Sequence, residues 1–138
     1  MTDIEKILEY LRGGSKGNLD LRWGTFSNMK LRDADLSGVD LRYADLKGAF
    51  LMDVNFCNAN LCKANLSNAN LINANLSNAD LSNANLNNAY LDSANLSNAN
   101  LSGAELKDCR LFNANLSNVI LPEPYQSEGL RELEYPPQ

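Results

Sequence analysis

One feature governs what this chain can fold into: an uninterrupted five-residue period from Leu19 to Glu123. The middle residue of every pentad is Leu or Phe, from Leu21 and Phe26 through Leu31 and Leu36 to Leu121. Two residues earlier stands a small or apolar residue, as at Ala34, Val39, Ala44, Ala114 and Val119. The residue between them is mostly Asp or Asn, and the two after the Leu are mostly Ser, Asn, Gly or charged. The span is 105 residues, or 21 pentads.

Apolar, polar, apolar over three residues is a strand pattern that places the small residue and the Leu on one side. The two polar residues that follow suit a turn. A helix cannot use this period. At 100° per residue, a step of five rotates the Leu stripe by about 140° each time and smears it around the cylinder. The chain must therefore wind as an all-β solenoid with its Leu side chains on a shared axis. No coil buries its Leu alone, so stability comes from stacking.

Runs such as Ala64-Asn65-Leu66-Ser67-Asn68 and Ala74-Asn75-Leu76-Ser77-Asn78 carry a known signature. The chain resembles the pentapeptide-repeat family, A(D/N)LXX, over residues 19–123, in the cyanobacterial type with an N-terminal capping helix. The resemblance implies a right-handed quadrilateral parallel β-helix of four pentads per coil. With 21 pentads, that makes about five coils and, at about 4.8 Å per stacked strand, a body about 25 Å long.

Large apolar residues beside the central Leu are rare, and Phe50, Met52, Ile72, Tyr90 and Phe112 belong to pentads centred on Leu51, Leu71, Leu91 and Leu111. Those centres are twenty residues apart, so on a four-sided solenoid all five fall on one side. Lys30, Arg32, Asp92 and Arg110 are expected there as a polar rim. Asn55, Asn75, Asn95 and Asn115, with Ser77, Ser97, Ser117, Asn58, Asn78 and Asn98, are expected on the opposite side.

An open β-solenoid exposes a sheet edge and an apolar cross-section at each end, and both need covering. Residues 1–18 read as a capping helix and linker. Thr2-Asp3-Ile4-Glu5 is a capping box, Ile4, Ile7, Leu8 and Leu11 form an amphipathic stripe, and Gly13-Gly14 ends the helix. Pro122 and Pro124 break the period. The tail, residues 124–138, reads either as a short helix near Glu128–Glu134, seating Leu130, Leu133 and Tyr135 on the last coil, or as a loose acidic segment.

The composition excludes most chemistry. The chain has no His, which removes His-based acid–base catalysis, nucleophile pairs and metal sites. Lys and Arg number 12 against 17 Asp and Glu, a balance unlike that of a nucleic-acid binder. Cys57, Cys62 and Cys109 form no CxxC; Cys57 and Cys62 point outward without a basic cluster to activate them, and Cys109 takes an inward Ala slot. Asp20, Asp35, Asp40 and Asp45 are read as turn-bonding residues rather than a catalytic or cation site, and the Asn from Asn55 onward do the same and stack into ladders. Trp23, Tyr43 and Lys63 share one slot in successive coils. With Arg22 and Arg42 beside Asp20 and Asp40, they read as a local stack with ion pairing rather than a nucleic-acid patch. No cofactor, metal or catalytic residue is expected, and no export signal or membrane span is read, which points to the cytoplasm.

Two functions remain. The first is a non-catalytic, regulatory protein-binding scaffold using Phe50, Met52, Ile72, Tyr90 and Phe112 toward a partner or a second copy, without nucleic acid or membrane. The second is carried by the resemblance alone: some members mimic DNA and inhibit type II topoisomerases. That mechanism needs a dense acidic surface, whereas residues 54–104 hold only Lys63, Asp80 and Asp92, against one DNA charge per about 1.7 Å.

Overall fold

A computed structural model describes residues 2–13 and 19–129. The repeat dictates its geometry pentad by pentad. The N–H of the small residue donates to the carbonyl of the Leu three positions before it, as from Ala64 to Leu61 and from Ala74 to Leu71, both 3.0 Å. The residue just before that donor sits at φ near +60°: Asn58 at 63°, Asn68 at 60°, Asn78 at 60°, Gly48 at 67°. This left-handed conformation is what the tight turn requires at its third residue, and Asn and Gly are the residues that tolerate it best. The final polar slot of the repeat is therefore a backbone requirement, not filler.

The Asp or Asn before each Leu has a second local task. Its Oδ1 accepts the N–H two residues on, from Asn65 to Ser67 at 3.1 Å, Asn75 to Ser77 at 3.0 Å and Asp80 to Ser82 at 2.9 Å. Where that residue is Ser, the hydroxyl often donates to the same oxygen, as Ser67, Ser77 and Ser82 do at 2.6–2.7 Å. These are Asx turns, in which a short side chain satisfies a backbone donor. The expected Asn ladder between coils is not formed among the described residues; one inter-coil link joins these slots, Asn55 Nδ2 donating to Asp35 Oδ1 at 3.2 Å. Elsewhere the Asx oxygens are mostly taken up within their own turn.

Successive coils are joined by parallel bridges between residues twenty apart, such as Asn55 with Asn75 and Asn75 with Asn95. A twenty-residue repeat of five-residue steps puts consecutive pentads on consecutive sides of a four-sided coil. Leu61 N–H donates to Asp80 at 2.7 Å, Lys63 to Ser82 at 3.0 Å, and Asp80 to Ala59 at 3.0 Å. The left-handed residue interrupts the extended backbone every five positions, so each side contributes bridges rather than longer strands.

The axis is filled by the Leu column. Leu36 through Leu101 are fully buried at every fifth position, with Phe56 taking one place, and the Ala column packs beside them. Full burial of a Leu side chain stabilises by roughly 1.5–3 kcal/mol. Near the start, Phe26 needs extra room: a Cβ on Gly24 would lie 2.3 Å from Phe26 Cε2, a clash. Cys109 is buried in the small-residue column, as its slot predicts, and burial followed by the nearby Asp92 charge pushes its thiol up to about 12.

Helix α1, Asp3–Gly13, begins with the expected capping box. Glu5 N–H donates to Thr2 Oγ1 at 3.2 Å and Thr2 N to Glu5 Oε2 at 2.7 Å. Its buried face differs from the expected stripe. Ile7 is fully buried in the same apolar cluster as the Leu column, with Tyr10 and Leu11 packed against it, whereas Ile4 and Leu8 are exposed. The Asp3 carboxylate accepts the Thr25 N–H at 3.2 Å, which turns the helix toward its Asp3–Ile7–Tyr10 side. Helix α2, Tyr125–Glu128, lies upstream of the helix read at Glu128–Glu134. Gly14, and the seating of Leu130, Leu133 and Tyr135, lie outside the described residues.

Candidate interaction face

The five apolar residues singled out in the sequence come from two stacked columns of one side. One column runs Lys30, Phe50, Asn70, Tyr90 and Arg110, joined by parallel bridges at each step. The other runs Arg32, Met52, Ile72, Asp92 and Phe112, one coil apart at each step. Phe50, Tyr90 and Phe112 are 42%, 39% and 53% exposed, while Met52 and Ile72 are half-buried. The rings share these columns with Lys30, Arg32, Asn70, Asp92 and Arg110.

The first column reveals a signal that apolar counting misses. It occupies the Asx slot, and on this side Lys30, Phe50, Tyr90 and Arg110 stand where an Asp or Asn would accept the turn amide. Only Asn70 keeps that bond, to Ile72 N at 3.1 Å. The next side along the chain carries Asp35, Asn55, Asn75, Asn95 and Asn115 in that slot, and all five make the bond. That Asn-rich side is the neighbour of the apolar one, not its opposite. Its pentads follow directly in sequence, and with four sides per coil the opposite side is two pentads away.

Asp92 is also not a rim residue. It lies between Ile72 and Phe112 in its column, its side chain 14% exposed. Both carboxylate oxygens are covered and lack a hydrogen-bond donor among the described residues. Its ion-pair partner is Arg110 Nε, 3.5 Å from Oδ2. Arg110 in turn lies over the Tyr90 ring, 5.3 Å from its centroid. At the other end Arg32 pairs with Asp53 at 3.5 Å and Asp33 at 3.8 Å.

The Trp23–Tyr43–Lys63 slot forms the stack read from the sequence. The Trp23 and Tyr43 rings are parallel, 4.1 Å apart and 4° from coplanar, and Lys63 Nζ lies 5.4 Å from the Tyr43 centroid. All three occupy the left-handed slot, at φ 62°, 63° and 61°, which is costly for bulky residues. Beside them Arg22 grips Asp20 through Nε at 2.9 Å and Nη2 at 2.8 Å, and Arg42 grips Asp40 at 2.9 and 2.7 Å. These side-chain hydrogen bonds hold both carboxyls below the usual carboxylate range. The guanidinium groups are thus engaged by carboxylates rather than left open to phosphate.

Asp35 and Asp45 also accept from their turn amides, at Ser37 and Lys47. Cys57 and Cys62 are half-buried free thiols, and the Ser77 hydroxyl lies 3.4 Å from Cys57 Sγ. No His, Cys, Asp and Glu group suited to a metal occurs among the described residues. No helix among them is long and apolar enough to cross a membrane.

Comparison with known proteins places this geometry. The family model described as pentapeptide repeats matches with eight copies, over residues 20–56, 51–88 and 89–122. No curated protein matches the sequence. Among solved structures, alr5209, a pentapeptide repeat protein from Nostoc Pcc 7120, is 28% identical over 94% of each chain, with a TM-score of 0.46. HetL, a pentapeptide repeat protein involved in heterocyst differentiation regulation in Nostoc sp. strain PCC 7120, is 23% identical over 89% of this chain and 94% of its own, with a TM-score of 0.37. QnrB1, a plasmid-mediated fluoroquinolone resistance protein, is 19% identical over 80% of this chain and 72% of its own, with a TM-score of 0.35.

Proposed function

The chain belongs to the pentapeptide-repeat family of right-handed quadrilateral β-helices, and on that premise we propose that it is a non-catalytic, regulatory protein-binding scaffold. In this reading residues 19–123 form about five coils and α1 covers the N-terminal end. The contact face is built by Phe50, Met52, Ile72, Tyr90 and Phe112. The observation that carries the reading is the exchange made in the Asx column. Phe50 and Tyr90 give up the turn bond that the neighbouring side makes five times, and they place exposed rings there instead. The exchange trades a turn hydrogen bond for partly exposed rings, and exposed aromatics and Met are what interface cores use.

The DNA-mimic reading lacks the charge it requires. Asp20 and Asp40 are each paired with Arg, and the middle of the rod carries few charges.

Replacing Phe112 by Glu tests the scaffold reading. Association with the partner, or of the chain with itself, should weaken at least tenfold (about 1.4 kcal/mol), while the circular dichroism spectrum stays that of the wild type. Unchanged association by the folded variant removes this face from the reading.

A further inference from the structure

The column Lys30–Phe50–Asn70–Tyr90–Arg110 holds two cations and no anion, on a chain whose net charge is −5. Lys30 has no ion-pair partner among the described residues. Arg110 has neighbours on two sides. Its Nε lies 3.5 Å from Oδ2 of the covered Asp92 carboxylate, an ion pair without a hydrogen bond, and its guanidinium carbon lies 5.3 Å from the Tyr90 ring centroid. The two Nη groups have no hydrogen-bond partner among the described residues, and the side chain is 54% exposed. A guanidinium that lies over an aromatic ring and beside a covered carboxylate is already partly ordered, and its outer fork can take a second carboxylate. Arg, Tyr and a neighbouring aromatic, here Phe112, are also the residue types that dominate binding energy at protein interfaces.

We infer that the contact face recognises a partner segment that presents an Asp or Glu carboxylate flanked by bulky apolar residues. The carboxylate sits on the Arg110 Nη fork, and the apolar neighbours lie on Phe112, Tyr90 and Ile72. Asp92 is a positioning residue. Its covered carboxylate, which has Arg110 as its ion-pair partner, draws the guanidinium toward the column and leaves the Nη groups for the ligand. This inference rests on the scaffold reading and assigns the chemistry of its partner.

The test is a nuclear magnetic resonance titration of the full, nitrogen-15-labelled chain with two blocked tetrapeptides, acetyl-Leu-Phe-Glu-Phe-amide and acetyl-Leu-Phe-Gln-Phe-amide. The Glu peptide should bind about tenfold tighter, the size expected of a charge-assisted hydrogen bond, and should shift the Arg110 side-chain resonance. High salt should shrink the preference. Arg110→Lys, which keeps the charge and loses the fork, should reduce the preference severalfold. The double variant Arg110→Met with Asp92→Asn, which leaves no unpaired buried carboxylate, should abolish it. Equal binding of both peptides overturns the carboxylate inference and leaves the apolar face standing. Binding of neither overturns both. A Glu preference that survives in the double variant places the carboxylate elsewhere and overturns the role of Arg110.

Discussion

Two neighbouring sides of this rod share one backbone and one core but use the same slot differently. On one, Asp35, Asn55, Asn75, Asn95 and Asn115 all close the turn that follows them. On the other, Lys30, Phe50, Tyr90 and Arg110 replace the turn acceptor, and only Asn70 keeps it. Both sides build the same turns, with Asn58, Asn78 and Asn98 near φ +60° on one and Asp53, Asn73 and Ser93 on the other. The Asx bond is therefore supportive rather than essential. A repeat fold secured by its Leu axis tolerates the loss of this bond, and four of the five slots in this column lack it.

The comparison can be broken first at the axis. Leu71 serves the apolar side and Leu76 the Asn side, and both are fully buried. Leu71→Ala and Leu76→Ala should each cost about 2–5 kcal/mol, the range for large-to-small core substitutions, measured by urea denaturation. Clearly unequal costs would mean that the two sides do not share one core.

The slot itself comes next. Asn75→Ala removes the acceptor for Ser77 N and Ser77 Oγ and should cost about 1 kcal/mol. Phe50→Asn restores an acceptor on the apolar side. It should leave stability within about 0.5 kcal/mol of the wild type, the regained turn bond offsetting the lost ring contacts, while partner binding falls. A large loss of stability from Phe50→Asn would recast that ring as a structural residue.

The smallest effect lies at the N-terminal corner, where surface charge is used for local pairing. Arg22 and Arg42 lower the carboxyls of Asp20 and Asp40. A carboxylate whose folded value is depressed contributes stability above its unfolded value of about 3.9, and loses that contribution as pH falls through the lower folded value. The stability difference between wild type and Asp40→Asn should stay constant near neutral pH and vanish only in acid, as followed by denaturation at stepped pH. A difference that changes between pH 6 and 8 would contradict the assignment.

Much of this was legible in the sequence because the determinants are local and periodic. The Leu period requires a solenoid, Asn in the last slot anticipates the left-handed turn residue, and Thr2 with Glu5 marks the capping box. The Trp23–Tyr43–Lys63 stack follows from a spacing of twenty. Features that depend on how separate parts meet were harder to read. The Asp3–Thr25 contact joins residues twenty-two apart and no helical stripe encodes it, so Ile4 and Leu8 read as buried in the sequence but are exposed in the fold. Asp92 reads as rim by its charge, but its column neighbours Ile72 and Phe112 place it in the middle of the face. The Asn-rich side reads as opposite by composition, but the twenty-residue winding makes it adjacent. The Asx exchange at Phe50 and Tyr90 was present in the sequence all along, visible once the slot's task in the turn is known.

The most direct test of the central claim compares the two sides at equal charge. Phe50→Glu with Phe112→Glu adds two negative charges to the apolar side. Asn78→Asp with Asn98→Asp adds two to the Asn side, at exposed turn positions whose backbone Asp tolerates. Wild type and both folded variants are used to capture binding proteins from native lysate. The scaffold account predicts that a specific partner is retained by the wild type and the Asn-side variant and lost by the apolar-side variant. Retention by all three, or loss from both variants alike, would contradict it.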